Sequence, residues 1–387
     1  MKKLLLALTS LCFVLILSYS DINAQDIEVD TAIIQLTKNG DIKAVKTALE
    51  NGAFVDVKDN QGTTPLMAAA EKGYLDIAKI LIDKGASVDE KNKKGFSPVM
   101  IACEYNKLDI VTLLYTKGAN INMKTEDGWN PLIVSVTFGN VNIVKYLVSK
   151  GAQVNDKDND GWSPIMIAAN KGYISIVEYL LSQGADVNDK NYDNSTVLMA
   201  ASVTGQTSTV NYLIAKGADV KAKDNFGWTA LMEASNEGFT TTAASLIDKG
   251  ADVNGKDVDG GNALMEAADT GYLETVKMLI DKKAKVNNRK KNGMTALMAA
   301  VQGGHYETAK YLIENGADVN LKDALGVTGL TALMLASYNG NPDCVKLLVD
   351  SGADVSAQTA AGWTALNFAQ QKGNSDAVSV LEEASAK

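Results

Sequence analysis

The sequence predicts an α solenoid, a stack of short helix-turn-helix units, and three in-register rows of residues carry that prediction. A glycine recurs every 33 residues at Gly52, Gly85, Gly118, Gly151, Gly184, Gly217 and Gly250, skips Lys283, resumes at Gly316, and reaches Gly352 after a three-residue insertion. A second row holds Gly62, Gly95, Gly128, Gly161, Gly227, Gly260, Gly293, Gly329 and Gly362, with Asn194 in the fifth place. A third row, two residues further on, holds only good helix N-caps: Thr64, Ser97, Asn130, Ser163, Thr196, Thr229, Asn262, Thr295, Thr331 and Thr364. Self-similarity at this period means supersecondary units that are each too small to bury their own apolar face and must stack. A stack offers a long surface rather than a single cleft, so the function class it favours is binding.

From the amino terminus, Lys2 and Lys3 precede an apolar run from Leu4 to Leu17, then polar residues and Ala24. That order predicts a secretory signal peptide over residues 1–24. The run is shorter than the roughly 20 residues needed to span a bilayer, so no membrane insertion is expected once it is cleaved; retention as an anchor is the alternative. Cys12, inside the apolar run, makes a poor lipidation site. Residues 25–30 form an acidic linker, and the array follows. In Asp158–Lys190, Asn159, Asp160 and Gly161 form a turn, Ser163 caps a helix and Pro164 suits its first turn. Ile165, Met166, Ala168 and Ala169 face inward, and Gly172 ends this helix. Ile176, Val177, Leu180 and Leu181 give the buried stripe of a second helix stopped by Gly184.

The pattern G-x-T-P-L-x-x-A-A-x-x-G-x-x-x-I-V-x-x-L-L-x-x-G-A-D-V-N closely resembles the ankyrin repeat. Nine full units are expected, at 59–91, 92–124, 125–157, 158–190, 191–223, 224–256, 257–289, 290–322 and 323–358. A degenerate amino-terminal unit at 31–58 and a carboxy-terminal capping unit at 359–387 flank them. The resemblance implies helix pairs joined by β-hairpin-like fingers in one curved, elongated domain. Two departures stand out. Where the family usually has histidine after the T-P-L leucine, this chain has Met67, Met100, Ile133, Met166, Met199, Met232, Met265, Met298, Met334 and Asn367. That replaces a polar link with a largely thioether ladder, which suggests sensitivity to oxidants. The insertion Gly326-Val327-Thr328 lengthens one finger and reads as a tolerated loop.

Net charge is −9, and loss of residues 1–24 makes it −10, spread through the repeats. Nucleic-acid and anionic-membrane binding want a basic face, so both are disfavoured. Cys103 and Cys344 lie seven repeats apart in buried registers, so no disulfide is expected. The lone histidine, His305, has no partner histidine for zinc and no nucleophile pattern beside it, and reads as structural. Asp156, Asp158, Asp160 and Gly161 match half a calcium loop but Ile167 stands where glutamate is needed; around Asp257, Asp259 and Gly260 the first ligand is Gly255. No metal, cofactor or catalytic residue is expected.

The functional signal is aromatic placement. Trp129, Trp162, Trp228 and Trp363 all follow the finger glycine, and Phe96 holds the same place in its repeat. By the resemblance this position faces the concave groove, as do the two residues before the middle glycine, which include Tyr105, Phe138 and Tyr338. Exposed tryptophan and tyrosine suit anchors for a protein partner. The competing reading is that these rings stack on neighbouring fingers. Aromatic density points to Phe96–Trp162 as the contact centre. The expected function is therefore a non-catalytic, monomeric, exported binding scaffold. A protective factor of the periplasm and a secreted effector acting on host proteins are the alternatives, with a hydrolase disfavoured.

Overall fold

The structure, a computed structural model, describes residues 32–323 and 329–386. The expected signal peptide and linker, and the insertion Gly326–Thr328, lie outside the described residues. The chain divides into two compact units, one ending at Pro164 and the other beginning at Ile165. The first contains α1 (32–38), α2 (Ile42–Glu50), α3 (Pro65–Lys72), α4 (Leu75–Asp83), α5 (Pro98–Glu104), α6 (Leu108–Thr116), α7 (Pro131–Thr137) and α8 (Val141–Ser149). Helix α9 (Pro164–Lys171) spans the boundary. The second unit continues with α10 (Ile174–Ser182), α11 (Val197–Ser202), α12 (Thr207–Ala215), α13 (Ala230–Asn236), α14 (Thr240–Asp248), α15 (Ala263–Asp269) and α16 (Leu273–Asp281). It closes with α17 (Ala296–Gln302), α18 (Tyr306–Glu314), α19 (Ala332–Asn339), α20 (Pro342–Asp350), α21 (Ala365–Lys372) and α22 (Ser375–Ser385).

Each unit is an α solenoid. The helices are too short to be stable alone, and packing of like on like supplies what propensity cannot. In the first unit α3 packs on α5 and α5 on α7, while α4 packs on α6 and α6 on α8. In the second, α11, α13, α15, α17, α19 and α21 form one layer and the intervening helices from α10 to α22 the other. The inner helices are nearly all core: α3 buries Pro65, Leu66, Met67, Ala68, Ala69 and Ala70. At the carboxy-terminal end α21 buries only Ala365 and Ala369, as befits a capping unit with an open outer side.

Among the described residues there is no strand, and only two isolated bridges, Lys190 with Thr196 and Lys322 with Thr331. The fingers are closed turns instead of extended hairpins. Each is shut by a backbone bond such as Thr125 N–H to the Trp129 carbonyl (2.9 Å) or Asp224 N–H to the Trp228 carbonyl (3.1 Å). Neighbouring fingers are tied together by a lysine ladder: Lys58 Nζ donates to the Lys91 carbonyl (3.3 Å), Lys91 to Lys124 (2.7 Å) and Lys124 to Lys157 (3.1 Å). Lys223 donates likewise to the Lys256 carbonyl (2.6 Å) in the second unit.

The two glycine rows serve different needs. At Gly52 φ is +91° and a Cβ would meet nothing, so only the left-handed backbone requires glycine. At Gly62 φ is +76° and a Cβ would also sit 2.9 Å from the backbone nitrogen of Lys93 in the next finger. Where the first row breaks, Lys283 itself takes φ +72°, a strained place for a side chain.

Eight of the ten capping residues accept a helix N–H as expected. The other two, Ser97 and Ser163, bury hydroxyls that make no hydrogen bond. The methionines that replace histidine are at most 2% exposed. The polar link is partly kept: the Thr64 N–H donates to Met67 Sδ (3.5 Å), Thr196 N–H to Met199 Sδ (3.4 Å), and Thr364 N–H to Asn367 Oδ1 (2.9 Å).

Candidate functional site

The finger fixes each aromatic by its main chain and leaves the ring to project. The first residue of the turn accepts the ring residue's N–H on its side chain: Asn92 for Phe96 (2.9 Å), Thr125 for Trp129 (3.1 Å), Asp158 for Trp162 (2.8 Å), Asp224 for Trp228 (2.8 Å) and Thr359 for Trp363 (3.0 Å). Asp158 also accepts from Asp160 N–H (3.1 Å), and Asp257 from Asp259 and Gly261 N–H (2.8 and 2.7 Å). The acidic turn residues that resemble calcium loops thus cap their own turns, and among the described residues no three candidate ligands gather into a metal site.

From this common anchoring the rings reach different surroundings. Phe96, Tyr105, Trp129 and Phe138 line one cavity of about 280 Å³ in the first unit. Three consecutive repeats build it: α3, α5, the ends of α5 and α7, and the fingers before them. Tyr105 and Phe138 are each 46% exposed. The cavity also takes in Glu71, Glu104, Lys94 and Ile101. Glu71 pairs with the Lys72 ammonium (2.6 Å). Among the described residues the half-buried Glu104 carboxylate has no hydrogen-bond or ion-pair partner, and burial pushes its pKa up while Lys94 draws it back. Glu71 and Glu104 occupy the groove-facing register already described, but selection by aromaticity passed over them.

Trp162 is half-buried and lies outside this cavity. Trp228 lines a separate, charged cavity of about 530 Å³ with Asp257, Asp259, Glu266, Lys290, Lys291 and Asn292. Glu266 is paired with Lys290 (3.0 Å). One repeat earlier, Glu233 has no such cation; burial pushes its pKa up to about 7, with Asp224 and Glu237 adding to the rise. The sequence signal for both was an acid in a position that is Ala68, Ile101 or Val134 elsewhere.

At the carboxy-terminal end the rings are spent on one another. Trp363 stacks at a tilt on Phe368 (centroids 5.4 Å apart), Phe368 meets Tyr338 edge-on (6.2 Å), and Lys372 Nζ sits 4.1 Å over the Tyr338 ring. So of the eight aromatics, four converge on one open cavity, two join an exposed stack with Phe368, and Trp162 and Trp228 stand apart.

The remaining chemistry is structural. His305 stands at the amino-terminal end of α18 without capping it through its side chain, and its Nε2 lies 2.9 Å from the Asp269 carbonyl of the preceding repeat, with its ring over Gly271. Asn140 does the same for the Cys103 carbonyl (2.6 Å) and Asn374 for Ser337 (2.7 Å). Cys103 and Cys344 are buried free thiols; burial pushes Cys103 up to about 12, which keeps it unreactive. No helix among the described residues is long and apolar enough to cross a membrane.

No curated protein gives a significant match to this chain. The family model described as ankyrin repeats (3 copies) matches residues 6–92, 99–191, 188–257, 255–323 and 318–387. With the paired helices, the capped turns and the left-handed glycines in register, the chain belongs to the ankyrin-repeat family, whose repeats serve as scaffolds for protein–protein contact.

Proposed function

We propose that this chain is a non-catalytic scaffold that binds a partner polypeptide in the groove of its amino-terminal unit. The observation that carries the reading is the convergence of Phe96, Tyr105, Trp129 and Phe138 on one cavity. Rings held by a hydrogen-bonded frame are ordered before the partner arrives, which lowers the entropy lost on binding. Tryptophan and tyrosine are the residue types that most often dominate such interfaces. The cavity lies just below the roughly 300–1,000 Å³ of small-molecule sites, a size that suits one anchoring side chain. The order of basic, apolar and small residues in 1–24 supports export, so the partner is sought in the periplasm or medium.

The test is capture of binding proteins by the full chain and by Trp129→Ala with Phe138→Ala. The double variant should keep its helical circular dichroism and lose the captured protein. Capture of the same protein by both would reject this groove, and fractionation of the producing cells separates periplasm from medium.

A further inference from the structure

The aromatic cavity has an ionic side that its rings do not explain. No ring–ring contact involves Phe96, Tyr105, Trp129 or Phe138, and no cation of the described residues sits over them. Phe96 and Trp129 are half-buried and Tyr105 and Phe138 are exposed, so the parts of these rings that face the cavity are open to an occupant. The carboxy-terminal stack shows what such a face accepts in this protein, since Lys372 covers Tyr338. Two carboxylates, Glu71 and Glu104, line the same cavity in adjacent repeats, and among the described residues only Glu71 has an ion-pair partner.

Any occupant that fills the cavity also covers Glu104. An apolar side chain would leave that carboxylate desolvated and unpaired, which costs more than the contact returns. A cation would pair with Glu104 and be attracted by the rings at the same time. Compared with the lysine ammonium, the arginine guanidinium is planar, less tightly hydrated, stacks on aromatic faces and meets a carboxylate through two parallel N–H donors. Lys94 at the same cavity is the competing charge, and it is solvent-exposed, so it can turn out to water.

On the reading that this groove binds a polypeptide, we propose that the cavity bounded by Phe96, Tyr105, Trp129, Phe138 and Glu104 receives an arginine side chain of the partner.

The test uses full-length protein labelled with fluorotryptophan, with the Trp129 resonance assigned by Trp129→Phe. Three capped tripeptides are titrated: alanine-arginine-alanine, the same peptide with citrulline, and the same with leucine. The arginine peptide should shift the Trp129 signal saturably and bind about five-fold or more tighter than the other two. Glu104→Gln should weaken the arginine peptide about three- to five-fold and leave the citrulline peptide unchanged. Lys94→Ala should strengthen the arginine peptide. Equal or tighter binding of leucine or citrulline, an unchanged affinity in Glu104→Gln, or no shift of Trp129 with arginine would each overturn the proposal. A leucine-preferring cavity combined with loss of the captured protein in the Trp129/Phe138 variant would keep the groove and reject the cation.

Discussion

Trp129 and Trp363 hold the same register, follow the same glycine and have their N–H bonded to a threonine at the same turn position, yet their rings end in different surroundings. The difference lies five residues on. In the amino-terminal unit that place is Ile101 or Val134, which leaves room for a cavity among the rings. In the last repeat it is Phe368, which fills the space and stacks on Trp363. In the repeat of Trp228 it is Glu233, and the groove there becomes acidic. A repeat thus standardises where a side chain starts, while its neighbours decide what it does. At one end of the row a ring opens onto a cavity, and at the other it packs on a ring of its own repeat.

The largest effect should come from emptying the first region and leaving the second intact. Trp129→Ala with Phe138→Ala should weaken partner binding by about 100-fold or more, as central aromatic anchors do. Trp363→Ala should leave binding unchanged and lower stability by about 1 kcal/mol through loss of the Phe368 stack, read as a urea midpoint. Loss of binding in Trp363→Ala would erase the contrast between the two ends.

Next in size is the acidic groove. Glu233 is held protonated to about pH 7 in the folded protein, against a carboxyl value of 4.5 when exposed. The folded state therefore binds more protons than the unfolded chain across that window, and stability falls as pH rises from about 4.5 to about 7. Glu233→Gln should remove that slope and gain about 1–2 kcal/mol near pH 8, with little change near pH 4. Parallel stability–pH curves for parent and variant would show that Glu233 is solvated.

Smaller effects test the repeat frame itself. Lys283→Gly restores the missing member of the first row and should stabilise by about 0.5–1 kcal/mol by relieving the left-handed backbone at φ +72°. Thr64→Ala removes a cap that is made and should cost about 1 kcal/mol. Ser97→Ala removes a buried hydroxyl that bonds nothing and should be neutral or slightly stabilising. Equal losses for Thr64→Ala and Ser97→Ala would mean that the serine cap forms in solution.

The frame was legible because it depends on local chemistry. Glycine at positive φ, a hydroxyl or amide at the cap and a small residue on the inner helix each answer to their own few neighbours. The glycines, His305 and the turn aspartates could be placed that way. Convergence could not, because it depends on side chains from three repeats and on what is missing between them. Glu104 stands in the groove-facing register beside Tyr105, but only the fold shows that it lines a cavity with rings of the next repeat. The methionine ladder was found, but not that two of its sulfurs return to the cap N–H.

In the first unit the lysine ladder joins donors and acceptors that are 33 residues apart. Excision of residues 92–124 would hand the Lys91 ammonium the carbonyl of Lys157, an identical acceptor in an identical place. A cut of any other length would leave both ends of the seam mismatched. The seam is therefore matched only by editing in whole cassettes, and the three consecutive cassettes that line the aromatic cavity would travel together as one piece.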